Sequence, residues 1–180
     1  MFYLKRIIIL VVFTLNVSFL VAQKNEIVTI KGKLNTLGLE LPEYSAPMAN
    51  YVKFVQTDKL IFTSGHGSCG RDQRVDKGRL GEDLTLEDGY LAAKRVGLCL
   101  LATLDQAVDG DLTKIKRIVK VLGMVNSAPS FYDQPKVMNG FSDLMVEVFG
   151  EAGRHARSAV GVAALPSNIS VEIEMVVELK

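Results

Sequence analysis

Two charges in this chain stand inside sequence otherwise suited to burial. Arg157 lies in the apolar run Ala156–Ala164 and Glu172 in the apolar run Ile169–Leu179, with a turn at Leu165-Pro166-Ser167-Asn168 between them. A charge placed in apolar sequence is costly unless it is paired or kept to bind something charged. The two have opposite sign and can lie at matching heights across the turn. Two readings therefore stand side by side: a structural ion pair between neighbouring strands, or a pair of charges kept for the recognition of a charged ligand.

The remaining residues with chemical potential are few. There are two histidines, His66 and His155, and no strand-turn-helix pattern presents a nucleophilic serine. Gly65-His66-Gly67 lacks the Lys-Ser/Thr continuation of a phosphate loop and does not open directly into a helix. His66-x-x-Cys69 has half of a metal-site spacing, but no second ligand pair accompanies it, so no metal is expected. His66 reads as a loop histidine hydrogen-bonded to backbone, with lining a pocket as the alternative. Cys69 falls in a glycine-rich loop and Cys99 in an apolar helix. An exported protein can pair such residues, but a helix-interior cysteine is usually a small buried apolar group, so the two are expected to be unpaired. Tyr51, Ser64 and Asn139 are polar residues at or within apolar elements, and each alone reads as structural.

These residues need elements to position them. Residues 23–46 form a polar lead-in with a short helical pattern (Ile27, Ile30, Leu34, Leu37) closed by Gly38. Tyr51–Thr57 and Leu60–Ser64 predict a hairpin around Asp58-Lys59. Gly65–Gly81, with five glycines, is a loop long enough to carry function. Thr85-Leu-Glu-Asp88 resembles a capping box with Asp in the last place, and the helix it opens should run to about Ala107. Lys114–Val125 turns from alternating to wholly apolar, as an interior strand does. A second helix is expected over about Gln134–Phe149, and the two closing strands follow. This order predicts an α+β domain over 47–180, a mixed sheet with two helices packed on one face. The strands look apolar on both faces, so self-association is expected.

The chain has 180 residues, enough for one domain with a core and too few for two. With 48% apolar and 23% charged residues it is not of disordered composition. Met1–Ala22 carries Lys5 and Arg6, then an apolar run ending at a small residue, which reads as a secretory signal peptide and hence export to the periplasm or exterior. An uncleaved anchor is the alternative, against which the run is short and interrupted by Asn16. Cleavage removes two basic residues from 21 against 20 acidic, leaving a net charge of −1 and no stable membrane contact. Lys and Arg are scattered, Lys114-Ile-Lys116-Arg117 being the densest cluster, so no nucleic-acid partner is expected. The sequon Asn168-Ile-Ser170 has meaning only in a glycosylating pathway.

Ala156-Arg157-Ser158 opening a strand, Leu165-Pro166 at its end and then Val171-Glu172-Ile173-Glu174 resemble the carboxyl-terminal signature of the YjgF/RidA family, small proteins that hydrolyse reactive enamines and imines. Tyr51-Val52, Thr63-Ser64-Gly65 and Asn139 also look like family positions, so the resemblance covers about Pro47 to Leu179. It implies a chorismate-mutase-like fold and a homotrimer with clefts between subunits. It further implies that Arg157 grips a substrate carboxylate and that Glu172 activates the attacking water. Backbone around Ser158 and Ala159 would hold the ligand from the side, and Tyr51, Ser64, His66 and Asn139 would shape the pocket. The implied reaction takes a 2-imino acid and water to a 2-oxo acid and ammonia without cofactor.

Three residues depart from the commoner family pattern. Ala159 stands where many members have Cys, His66 where Gln is expected, and Gly161 where the deaminases often carry Glu. Asn139-Gly140 and Gly153-Arg154-His155-Ala156-Arg157-Ser158 resemble a longer subgroup associated with the name endoribonuclease L-PSP. Imine hydrolysis is thus the leading expectation, a non-catalytic protein binding small carboxylates the alternative, and ribonuclease action a third reading that the missing basic patch disfavours.

Overall fold

The computed structural model describes residues 29–47, 49–69 and 76–180. The segment Met1–Ala22, where the signal peptide is expected, lies outside them. After helix α1 (Ile30–Thr36) come strands β1 (Phe54–Thr57) and β2 (Leu60–Thr63), then the long helix α2 (Leu86–Ala107). Strand β3 (Ile115–Asn126) follows, then α3 (Gln134–Val137), α4 (Asn139–Phe149), β4 (Ala156–Val162) and β5 (Val171–Leu179). The capping box at the start of α2 is present: Thr85 Oγ1 accepts from Asp88 N at 3.2 Å, and Thr85 N donates to Asp88 Oδ2 at 3.0 Å.

The five strands lie in the order β1-β2-β5-β3-β4. All neighbours are antiparallel except β3 and β4, which are parallel. A parallel pair needs a crossover, and α3 and α4 supply it. The two closing strands are therefore not a hairpin, which corrects the expectation that Arg157 and Glu172 face each other across a turn. The turn stands where expected, as a short helical turn at Pro166–Asn168, but β3 lies between β4 and β5. Its twelve residues give the longest strand an interior place, bonded on both edges.

Alternation along β3 and β5 sorts the sheet faces. Val121, Val125, Ile173, Met175 and Val177 are buried beneath α2 and α4, against Leu100, Leu104, Phe141 and Leu144. Gly140 allows the close approach of these helices, because a Cβ there would run into the Tyr90 carbonyl oxygen. The second helix is broken where one was expected, with Met138 forming a turn between α3 and α4. No described helix covers the other sheet face. It carries Val55, Phe62 and Val160, each 42% exposed or more, along with Glu172, Glu174 and Lys120. This face is mixed rather than wholly apolar, since β5 alternates three glutamates with its core residues.

Candidate active site

Arg157 sits on β4 in register with buried Val121, so its side chain rises on the helix-covered side of the sheet edge. The guanidinium is half-buried and held through both Nη atoms. Nη1 donates to Asn139 Oδ1 at 3.1 Å and Ser142 Oγ at 2.9 Å, and Nη2 donates to the Pro135 carbonyl at 3.1 Å. All three acceptors are neutral. Burial lowers its pKa, and the charge of Asp143 opposes that shift, but a guanidinium remains a cation. Pro135, Asn139 and Ser142 follow one another at helical spacing, so a carbonyl of α3 and two side chains of α4 share one face and converge on one side chain.

Glu172 occupies the opposite face. It pairs with Met124 of β3, one step out of phase with Val121. Burial raises its pKa, and the neighbouring charge of Glu174 raises it further. Gly65 lies against it so closely that a Cβ at residue 65 would overlap Glu172 Oε1. Ser64 Oγ donates to the Val52 carbonyl at 2.6 Å, and Ser64 N donates to the Lys53 carbonyl at 2.9 Å. The segment Tyr51–Lys53 therefore runs beside Ser64-Gly65 as an extension of the β1–β2 ribbon, with Tyr51 exposed. Strand β1 begins at Phe54, later than expected, and this extension leads into it.

His66 joins the sheet through a backbone bridge to Ile173, but its ring turns to the helix side and is 5% exposed. Nδ1 lies 2.7 Å from the Ser64 carbonyl and Nε2 lies 2.9 Å from Thr103 Oγ1 of α2. Desolvation lowers its pKa. Both sequence readings of this residue hold: it bonds to backbone, and it lines a cavity of about 240 Å³ with Lys53, Tyr44 and Cys69. Cys69 and Cys99 form a disulfide, which corrects the expectation of unpaired thiols. The cause lies in matched spacing. His66 and Cys69 are three apart on the loop, Thr103 and Cys99 are four apart on one helix face, and the loop crosses that face once His66 is anchored. Among the described residues, no three His, Cys, Asp or Glu side chains cluster as metal ligands would.

The structure thus sorts the expected residues into two groups. Arg157 and Asn139 meet at the β4 edge. Glu172, Ser64 and the Tyr51 segment meet at the β2–β5 end, with His66 just behind. Ser158 belongs to neither side chain cluster: its Oγ accepts from Lys120 Nζ at 2.9 Å beside a cavity of about 260 Å³ on the open face, which Phe62 and Glu174 also line. Ala159 packs on the core beside Gly123, on an edge strand whose outer backbone groups are unpaired by the sheet. Sequence reasoning missed Ser142 and Pro135, and named Gly65 only as part of Thr63-Ser64-Gly65. Ser142 was findable, since it lies one helical turn from Asn139; the Pro135 carbonyl carried no side-chain signal.

Residues 31–179 match the family model described as "YjgF/chorismate_mutase-like, putative endoribonuclease". Protein TCP17 of Trypanosoma cruzi is 43% identical over 151 residues, 83% of this chain and 94% of that protein. The crystal structure of protein Atu1372 from Agrobacterium tumefaciens, of unknown function, superposes with a TM-score of 0.78 at 41% identity, covering 84% of this chain and 94% of the other. The crystal structure of E. coli TdcF with bound serine superposes with a TM-score of 0.52 at 20% identity, over 77% and 94% of the two chains, and shares the fold.

Proposed function

This chain belongs to the YjgF/chorismate-mutase-like family, and on that premise we propose that it hydrolyses small 2-imino acids, or their enamine tautomers, to 2-oxo acids and ammonia. The observation that carries the reading is the Arg157 guanidinium, held in place by three neutral acceptors and, among the described residues, in direct contact with no carboxylate. An anchored fork of that kind suits a planar carboxylate. The serine bound by TdcF is likewise a small carboxylate.

Glu172 supplies the second half of the chemistry. Its carboxyl is half-buried with a raised pKa, which makes it a better proton acceptor than a solvated glutamate. As a carboxylate it takes one proton from water while the oxygen adds to the C=N carbon. Glu172 returns that proton to the nitrogen of the tetrahedral adduct, then carries the adduct's hydroxyl proton to the same nitrogen as the C–N bond breaks, so that ammonia leaves and C=O remains. No redox change occurs and no cofactor is required.

Arg157 and Glu172 lie on opposite faces of one sheet, so one protomer does not offer both to one substrate. We therefore place the cleft between copies, with the open sheet face of each protomer covered in a homotrimer. The exposed Val55, Phe62 and Val160 support that assembly. Export remains part of the reading, supported by the basic-then-apolar start of the chain and by a disulfide that suits an oxidising compartment.

Binding without turnover is the second reading, favoured by the same separation: if assembly leaves Glu172 away from Arg157, only a carboxylate site remains. Ribonuclease action has less support, since His66 and His155 are tied to different helices and each bonds a backbone carbonyl. Ammonia and 2-oxo acid release from freshly generated 2-aminoacrylate and 2-iminobutanoate decides among them. The wild type should accelerate release and Arg157→Ala should not. Stabilisation by 2-oxo acids with no acceleration would favour binding alone.

A further inference from the structure

We infer that His155, acting through Ser142, is a positioning residue that fixes the Arg157 guanidinium for its carboxylate ligand. The inference rests on the reading of Arg157 given above.

Three short contacts run in line. Arg157 Nη1 lies 2.9 Å from Ser142 Oγ, Ser142 Oγ lies 3.1 Å from His155 Nε2, and His155 Nδ1 lies 2.7 Å from the Gly153 carbonyl. The chemistry of each group assigns the protons. A carbonyl only accepts, so Nδ1 carries the imidazole hydrogen. In the neutral ring Nε2 then has only a lone pair, and Ser142 must give it the one hydroxyl hydrogen. The Ser142 oxygen is left with lone pairs for the guanidinium. Every donor in the chain has one acceptor, and the direction runs from Arg157 to the backbone. Phe141 meets the imidazole edge-on, with ring centres 5.6 Å apart, and holds its plane.

The chain works in one protonation state. Desolvation lowers the His155 pKa, the Gly153 carbonyl bond raises it and the Arg157 charge lowers it. When a proton is forced on, Nε2 becomes a donor. Ser142 then receives two donors, its own hydrogen loses its acceptor, and two cations stand one hydroxyl apart. The other charges around this group are Asp143 on α4, which accepts from Tyr90 Oη at 3.0 Å, and the Glu151–Arg154 pair in the turn before β4. Arg117 on β3 donates to the Arg154 carbonyl. None of these four reaches His155 with a hydrogen bond that would replace Ser142. Below its titration the grip on a carboxylate should therefore loosen, an effect read in affinity and KM.

The test uses the mature full-length chain and 2-oxobutanoate as probe, with affinity by calorimetry, KM and kcat followed from about pH 5 to 8.5, and ¹⁵N spectra of the histidines. His155→Ala and Ser142→Ala are expected to weaken 2-oxobutanoate binding and raise KM roughly tenfold, one hydrogen bond's worth, with kcat nearly unchanged. The wild type should lose affinity by a similar factor on the acid side of the histidine range. His155→Gln, whose amide oxygen can accept from Ser142, should keep neutral-pH affinity and lose that acid limb. The spectra should show His155 as the Nδ1–H tautomer. Unchanged affinity and pH profile in His155→Ala, beside abolished binding in Arg157→Ala, would overturn the relay while leaving the function standing. An Nε2–H tautomer would overturn it without reference to any ligand. Failure of the wild type to bind any 2-oxo acid would remove the functional reading, and the relay's purpose with it.

Discussion

At the scale of the residue, the two charges owe their usefulness to opposite treatments. Arg157 is oriented by neutral acceptors and, among the described residues, forms no ion pair, so on the proposed function its carboxylate partner is the one a ligand brings. Replacing it with alanine should cost about 3 kcal/mol of interaction, near a hundredfold in kcat/KM, measured as 2-oxo acid release with the fold checked by circular dichroism. Glu172 is instead tuned by burial and by a like charge two residues away on the same sheet face. Its ionised form is the base, so kcat should fall as the pH drops through a value above the ordinary carboxylate range. Glu174→Gln removes the smaller of the two causes, and that limb should move to lower pH while staying above the ordinary value, because burial remains. A kcat profile of the variant superimposable on the wild type would contradict this account of Glu172. The limb from His155 is separable, since it acts on KM.

At the scale of the element, the loop after β2 is held to helix α2 at two points, His66 on Thr103 and Cys69 on Cys99. The disulfide closes the chain between Cys69 and Cys99, 30 residues apart, and ties down the loop just after the ribbon end that carries Ser64 and Gly65. Cys69→Ser with Cys99→Ser should lose about 3 kcal/mol of stability and lower the melting temperature by about 10 °C. A reductant should lower the wild type by the same amount and leave the double variant unmoved; an equal effect on both would contradict it. The elements themselves were legible where local chemistry writes them. The Thr85–Asp88 capping box, the apolar side of α2 and the twelve-residue interior strand all stand as their patterns indicate. The disulfide was not legible because it depends on where a loop crosses a helix, and periodicity within either segment does not carry that. The break at Met138 was not read from the sequence either, although Asn139-Gly140 places two weak helix formers just after it.

At the scale of the whole molecule, strand order decides what the site is. Reading β4 and β5 as neighbours puts Arg157 and Glu172 face to face, and their opposite charges then invite an ion pair. Inserting β3 between them sends one side chain to each face, and an inward pair becomes two half-sites. The apolar runs alone do not fix that order, because adjacent and interleaved strands can have the same alternation. The family resemblance names the residues, the fold supplies the separation of Arg157 from Glu172, and on the proposed function that separation makes assembly part of the chemistry. A protomer that stays alone should bind carboxylates weakly and turn nothing over.

The central claim is that Arg157 of one copy and Glu172 of another act on one imine, and mixing two inactive variants tests it most directly. Arg157→Ala and Glu172→Gln, each silent alone, are unfolded together, refolded as mixed assemblies and assayed for ammonia release from 2-iminobutanoate. Random reassembly of a cyclic trimer should return about a quarter of wild-type activity, since one interface in four receives both intact residues. Mixed assemblies that form but stay silent would contradict a cleft shared between copies.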